Sequence, residues 1–159
     1  MKMSGGVEWA LHCCVVLTAA DRPVSALRLA QLHDVSATYL AKQLQALSRA
    51  GLVRAAQGQA GGYVFTRSAS EVTVLDVVEA VDGARAAFVC TEIRQRGPMA
   101  TPPEACTAPC AISRAMSVAD EAWRAALRDV SIADLARTVN SDYDRDVLGA
   151  IRGWLAPAT

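Results

Sequence analysis

Five cysteines stand in the 159-residue chain, at positions 13, 14, 90, 106 and 110. An odd count in a sequence rich in core formers argues against a disulfide framework and for metal, redox chemistry or burial. Cys13 and Cys14 are adjacent in an apolar run and read as small buried hydrophobes. Cys110 follows Pro109 at the start of a helical pattern, where the helix dipole favours a thiolate. Cys90 sits at the other end of the same Pro-broken segment, and Cys106, among Thr and Pro, is the weaker ligand candidate. Thiolates are soft, charged donors that suit iron. If only two cysteines bind, further ligands must come from elsewhere. Glu8 and His12 lie four residues apart, so a carboxylate and an imidazole project from one helix face and can bind metal together. The competing reading makes Glu8 a first-turn acid favoured by the helix dipole and His12 a satisfied interfacial side chain.

The elements that must carry these residues follow from periodicity and caps. A first helix covers 8–20 and ends at Asp21-Arg22-Pro23. Ser25 caps a short helix over 26–32, and a turn at 33–35 leads to Ser36, a second good cap. In the next helix, 37–50, Leu40, Leu44 and Leu47 form one apolar stripe, and Gly51 stops it. Two β-prone segments then flank the Gly-rich stretch 57–62, which predicts a hairpin. This order is that of a winged helix-turn-helix domain over 1–83, its wing at about 52–67 and a further helix over 72–81. A loop over 84–110 holds the three later cysteines. A long helix over 111–130 with a following turn to 139 forms a dimerisation segment, and 140–159 a tail helix. The predicted fold class is mostly α with a small β-hairpin.

The formal net charge is zero, but it is unevenly spread. Residues 1–70 hold seven basic residues against three acids; the rest hold nine against thirteen. A basic reading head on an acidic body fits a nucleic-acid binder. In the predicted recognition helix, Thr38, Tyr39, Lys42 and Gln43 are expected outward at base edges, Gln43 suiting adenine and Lys42 guanine or phosphate. Arg28, Ser36, Thr38 and Arg54 are expected at phosphates, and Gln59, Tyr63 and Arg67 of the wing over the backbone or minor groove. No nucleophile–base pair suggests an enzyme. Lys2 and the apolar run 11–20 faintly resemble a signal peptide, but Glu8 and His12 interrupt the apolar stretch, so a cytoplasmic location is expected.

Val35-Ser36-Ala37-Thr38-Tyr39-Leu40, the helix end Leu47…Ala50-Gly51-Leu52-Val53 and Gly58-Gln59-Ala60-Gly61-Gly62-Tyr63 resemble the IscR/NsrR-type family of winged-helix iron–sulfur regulators. Cys110 at a long helix start and Ser131-Ile132-Ala133-Asp134-Leu135-Ala136 extend the resemblance over nearly the whole chain; Gln57 departs from it, standing where a basic residue is common. The resemblance implies a homodimer on a two-fold DNA operator, a transcriptional regulator switched by its cluster. Cluster-bearing members usually bring three closely spaced cysteines, whereas here fifteen residues separate Cys90 from Cys106 and three separate Cys106 from Cys110. The similarity is greatest to redox-sensing members with a 2Fe–2S cluster held by Cys, Glu and His. It implies Cys90 and Cys110 from one subunit with Glu8 and His12 from the other. Trp9 is expected to pack in the interface, and its place beside Glu8 makes it the expected redox-coupled switch. A cluster-free repressor switching through Cys106 and Cys110 and a zinc-stabilised DNA-binding module are the alternatives.

Overall fold

A computed structural model describes residues 3–58 and 61–156. Seven α-helices and one antiparallel hairpin follow in the order α1 (Gly5–Thr18), α2 (Ala26–His33), α3 (Ala37–Arg49), β1 (Val53–Ala56), β2 (Gly62–Phe65), α4 (Val74–Asp82), α5 (Ala111–Arg128), α6 (Ile132–Ser141) and α7 (Val147–Leu155). The winged helix-turn-helix is therefore present, with helix ends shifted by one to three residues where caps compete with periodicity. None of the described helices is long and apolar enough to cross a membrane.

Local chemistry sets the helix-turn-helix. Ser25 accepts from the Arg28 amide and so caps α2. Asp34, at φ 50°, takes the left-handed conformation that ends α2, and the Val35 amide reaches back to the Ala30 carbonyl. α3 then packs Leu40, Leu44 and Leu47, each fully buried, against α1 and the wing. Gly51, at φ 72°, turns the chain out of α3.

The wing is anchored on the segment before α2. Val24 and Tyr63 exchange backbone hydrogen bonds of 3.1 and 2.8 Å, adding a one-residue third strand to the β1–β2 pair. This close approach explains Gly62: a Cβ there would lie 2.3 Å from the Val24 carbonyl carbon.

The second half is stitched to the head through two helix starts placed side by side. Thr73 with Asp76 and Ser131 with Asp134 form reciprocal capping boxes on α4 and α6. The Val74 amide bonds the Val130 carbonyl and the Ile132 amide bonds the Val72 carbonyl, both at 2.8 Å. Ile132 and, from α7, Leu155 join the same core as α1 and α3. The expected boundary at residue 83 thus divides the chain in sequence but not its core.

α5 behaves differently. It buries no residue fully, and seats only Trp123 and Leu127 of its C-terminal half, with Val130 just beyond its end, on Val7, Val74 and Val78. Ile112 and Met116, on the same stripe, remain exposed.

Gly62→Ala is expected to cost roughly 1–3 kcal/mol, the scale of an overpacked site, because backbone rather than a flexible side chain must give way. Urea unfolding of the variant against the parent measures it.

Candidate functional site

Two surfaces carry chemistry: the outward stripe of α3 with the wing, and the thiols at the start of α5. On α3, Thr38, Tyr39 and Lys42 are exposed as expected. Gln43 is not. It is 5% exposed and wedged against Gly6 of α1, where a Cβ would lie 2.6 Å from its Oε1. The helical phase corrects the expectation: Lys42, Gln45 and Arg49, at spacings of three and four, share the solvent stripe opposite Leu40, Leu44 and Leu47. Gln45 is thus the glutamine beside Lys42, and the leucine stripe itself was the signal that could have placed it.

The expected backbone contacts divide. Ser36 stands at the N-cap of α3, exposed and making no capping bond. Arg54 on β1 is exposed. Tyr63 is half-buried against the core, and Gln59 lies outside the described residues. Arg67 turns back to bond the Glu71 carbonyl and Asp76. Arg28 is half-buried, stacked 3.5 Å over the ring of Trp154 from α7.

At the second surface the fold closes the 84–110 loop on itself. Cys90 Sγ lies 3.9 Å from Cys110 Sγ. Cys110 is the N-cap of α5, and its sulfur accepts from the Ser113 amide at 3.3 Å. That amide, with Cys90 also bonded to it, holds the Cys110 thiol below its ordinary value. The Glu92 backbone pulls Cys90 the same way, but burial and the neighbouring Cys110 outweigh it, so Cys90 is raised and Cys110 ionises first. Cys106, half-buried on the same loop, lies near enough for its charge to act on Arg94.

Two residues that the sequence did not single out hold this geometry. Glu92, at φ 52°, accepts from Cys90 at 3.6 Å and pairs with Arg94 at 2.8 Å. Arg94 also donates to the Ala108 carbonyl at 2.8 Å, two residues before Cys110. The pair straps both ends of the loop together. Irregular backbone offers no period by which to find such a strap.

Two thiolates on one tetrahedral metal, with metal–sulfur bonds near 2.3 Å, stand about 3.8 Å apart. The 3.9 Å separation therefore fits a shared metal centre on geometry alone. Glu8 and His12 are both exposed on α1. Among the described residues no three candidate ligands gather within one chain, so Glu8 and His12 do not join this chain's own thiols. Between them, Trp9 is half-buried, its ring meeting His33 at 5.9 Å and Tyr39 at 6.4 Å, both edge-on. The His12 and His33 rings lie 5.7 Å apart, and His33 Nε2 is buried without a hydrogen-bond partner. Burial and the nearby His12 lower the His33 pKa.

In apoprotein, Arg94→Ala is expected to slow Cys90–Cys110 disulfide formation by oxidised glutathione several-fold, since it frees one end of the loop and removes a cation beside Cys110. Thiol trapping with mass analysis follows the reaction, and an unchanged rate would refute the strap.

A family model described as Rrf2, iron-dependent transcriptional regulator, matches residues 3–138. IscR of Cereibacter sphaeroides, an HTH-type transcriptional regulator, is 35% identical over 86 residues, which are 52% of this chain and 56% of that protein. YwgB of Bacillus subtilis is 28% identical over 98% of this chain and 95% of its own length. Among solved structures, CymR of B. subtilis, titled the global cysteine regulator, superposes with a TM-score of 0.66 at 22% identity, covering 87% of this chain and 98% of that one. IscR of T. potens does so at 0.67 and 16% identity, covering 91% and 93%. At these identities the structures speak for the fold.

Proposed function

The chain belongs to the Rrf2 family of transcriptional regulators, and on that premise we propose that it is a homodimer whose affinity for a two-fold DNA site follows the redox state of a 2Fe–2S cluster at the subunit boundary. Proteins of this family are regulators, not enzymes; they bind DNA and typically act as dimers. The observation that carries the finer reading is the Cys90–Cys110 pair, 3.9 Å apart at an exposed helix start.

Cys90 and Cys110 would supply two ligands, and Glu8 and His12 of the partner subunit the other two. Cys106 is left outside this set. The bare stripe of Ile112 and Met116 supports pairing of α5 with its symmetry mate, which would carry each thiol pair toward the other subunit. When bound, such a cluster supplies a one-electron couple and thereby a change in local charge. The residues of the chain then have three tasks. Arg94 and Glu92 keep the thiols at ligand spacing. Glu8 and His12 put the first helix of the reading head under the influence of the partner's loop. Trp9, between them, touches Tyr39 on α3, so a change at the ligand face meets the recognition helix directly. For this to switch binding, the two cluster states must differ in their preference for two head arrangements. On the DNA side, Ser36, Thr38, Tyr39, Lys42 and Arg54 remain the proposed contacts, joined by Gln45.

A second reading has its own support. A disulfide needs its sulfurs at about 2.05 Å, so a shift of about 2 Å would join Cys90 to Cys110 without any cluster. The pair favoured by the structure is Cys90 with Cys110, not the Cys106–Cys110 pair that sequence spacing offered.

Anaerobic purification separates the readings. The cluster reading expects a coloured protein with iron and sulfide in equal amounts, its colour lost in Glu8→Ala, His12→Ala and Cys90→Ala but kept in Cys106→Ser. A colourless protein free of iron and sulfide, forming a Cys90–Cys110 bond on oxidation, would establish the thiol switch instead. Given a cluster, Trp9→Ala is expected to keep the colour and lose most of the difference in DNA affinity between oxidised and reduced protein, measured by anisotropy; a full difference would remove Trp9 from the path.

A further inference from the structure

Three arginines converge on a cleft of about 750 Å³ between the reading head and α7. Its floor is the turn from Ala20 to Ser25 and the start of α2, one wall is Gly61 of the wing, and the other is α7. Arg22 donates to the Leu155 carbonyl at 2.9 Å, Arg28 to the Trp154 carbonyl at 2.5 Å, and Arg152 to the Ala19 carbonyl at 3.1 Å. Carbonyl dipoles orient a guanidinium without neutralising it. Asp21, largely exposed and 3.8 Å from Arg152, is the one carboxylate here within ion-pair range of any of the three among the described residues. Exposed at that distance, it screens little. Each guanidinium has five N–H donors and, among the described residues, spends only one or two on the protein. The cleft therefore holds an excess of oriented positive charge with unused donors, a set that matches the oxygens of a phosphate.

Its position says where such a phosphate comes from. The turn that carries Arg22 is tied to the wing through Val24 and Tyr63, and Arg28 lies in the first turn of the helix that precedes the recognition helix. In a helix-turn-helix that helix crosses the DNA backbone. We propose that the cleft is a phosphate-binding site and that α7, through Arg152 and the carbonyls that hold Arg22 and Arg28, belongs to the surface that meets DNA. This rests on DNA binding by the family and not on the cluster, so its failure leaves the reading of the thiol pair untouched.

The test uses the full-length protein and the double variant Arg22→Gln/Arg152→Gln, whose amides can still donate to the carbonyls. Affinity for operator and for unrelated duplex is measured by anisotropy over a range of NaCl concentrations. Losing two phosphate contacts should lower the slope of log affinity against log salt by about 1.8, with the same loss on both sequences. In a parallel arm, inorganic pyrophosphate should raise the Tm of the parent and not of the variant. A changed slope identifies the duplex backbone as the source. An unchanged slope with a lost Tm response identifies a free phosphoanion in the same site. If neither changes, the proposal is overturned. Arg22→Lys/Arg152→Lys should rescue the loss by restoring charge; a Lys variant as weak as the Gln variant would mean that the arginines merely hold α7, and would equally overturn it.

Discussion

The close approach of α1 to α3 is the constraint on which the molecule depends. Gly6 leaves α1 so near α3 that any Cβ would strike Gln43, and the small side chains of Ala10, Cys13 and Cys14 continue the contact into the core. Gln43 is polar yet buried, with the amide end of its side chain against Gly6. α1 also packs against α4 and α6, so it is the common neighbour of the recognition helix and of the second half. An interior packed to crystal density passes a displacement on instead of absorbing it. Whatever moves α1 must therefore move α3.

The two halves of the chain differ in how they are fixed. α4 and α6 each start with their own capping box, and backbone bonds cross between the two starts, which ties the second half to the core. α5 is held only by its C-terminal half, helped by Arg124, which bonds Asp120, Glu79 and the carbonyls of Ala84 and Arg85. Its N-terminal half, with Ile112, Met116 and the Cys110 cap, projects as an unseated lever. The same chain thus contains one rigid assembly and one arm that ends in reactive sulfur.

What the sequence made legible was local. Caps, turns and the leucine stripe act within a few residues, so Ser25, Asp34, Leu40, Leu44, Leu47 and the glycine wing could be read in place. The outward glutamine of α3 was misplaced although the leucine stripe fixes the phase that puts Gln45 outside; only the close approach of Gly6 to Gln43 was hidden by distance. The docking of α7 was equally hidden: Leu155, Trp154 and Arg152 meet the head across more than a hundred residues. Cys90 with Cys110 was already the pair the resemblance implied; what stayed hidden is the strap of Glu92 and Arg94 that holds it, in an irregular loop where no period exists to be counted.

Location divides the five cysteines by reactivity. Burial pushes the Cys13 thiol up to about 12 and Cys14 higher still, so both remain protonated packing residues at neutral pH. Cys110 is shifted the other way by the amide of Ser113, at the tip of α5, which buries no residue fully. Sulfur chemistry is therefore confined to the arm, while the sulfur inside α1 is inert and serves the packing that makes α1 rigid. α4 packs on both α5 and α3, and α1 packs on α3, so a signal arising on the arm has a route to the outward stripe of α3 through either helix; on α1, Glu8 and His12 face outward and Trp9 meets Tyr39 and His33. Among the described residues Glu8 and His12 do not gather with this chain's own thiols, and in the dimer proposed above a second copy would bring its α1 to the arm.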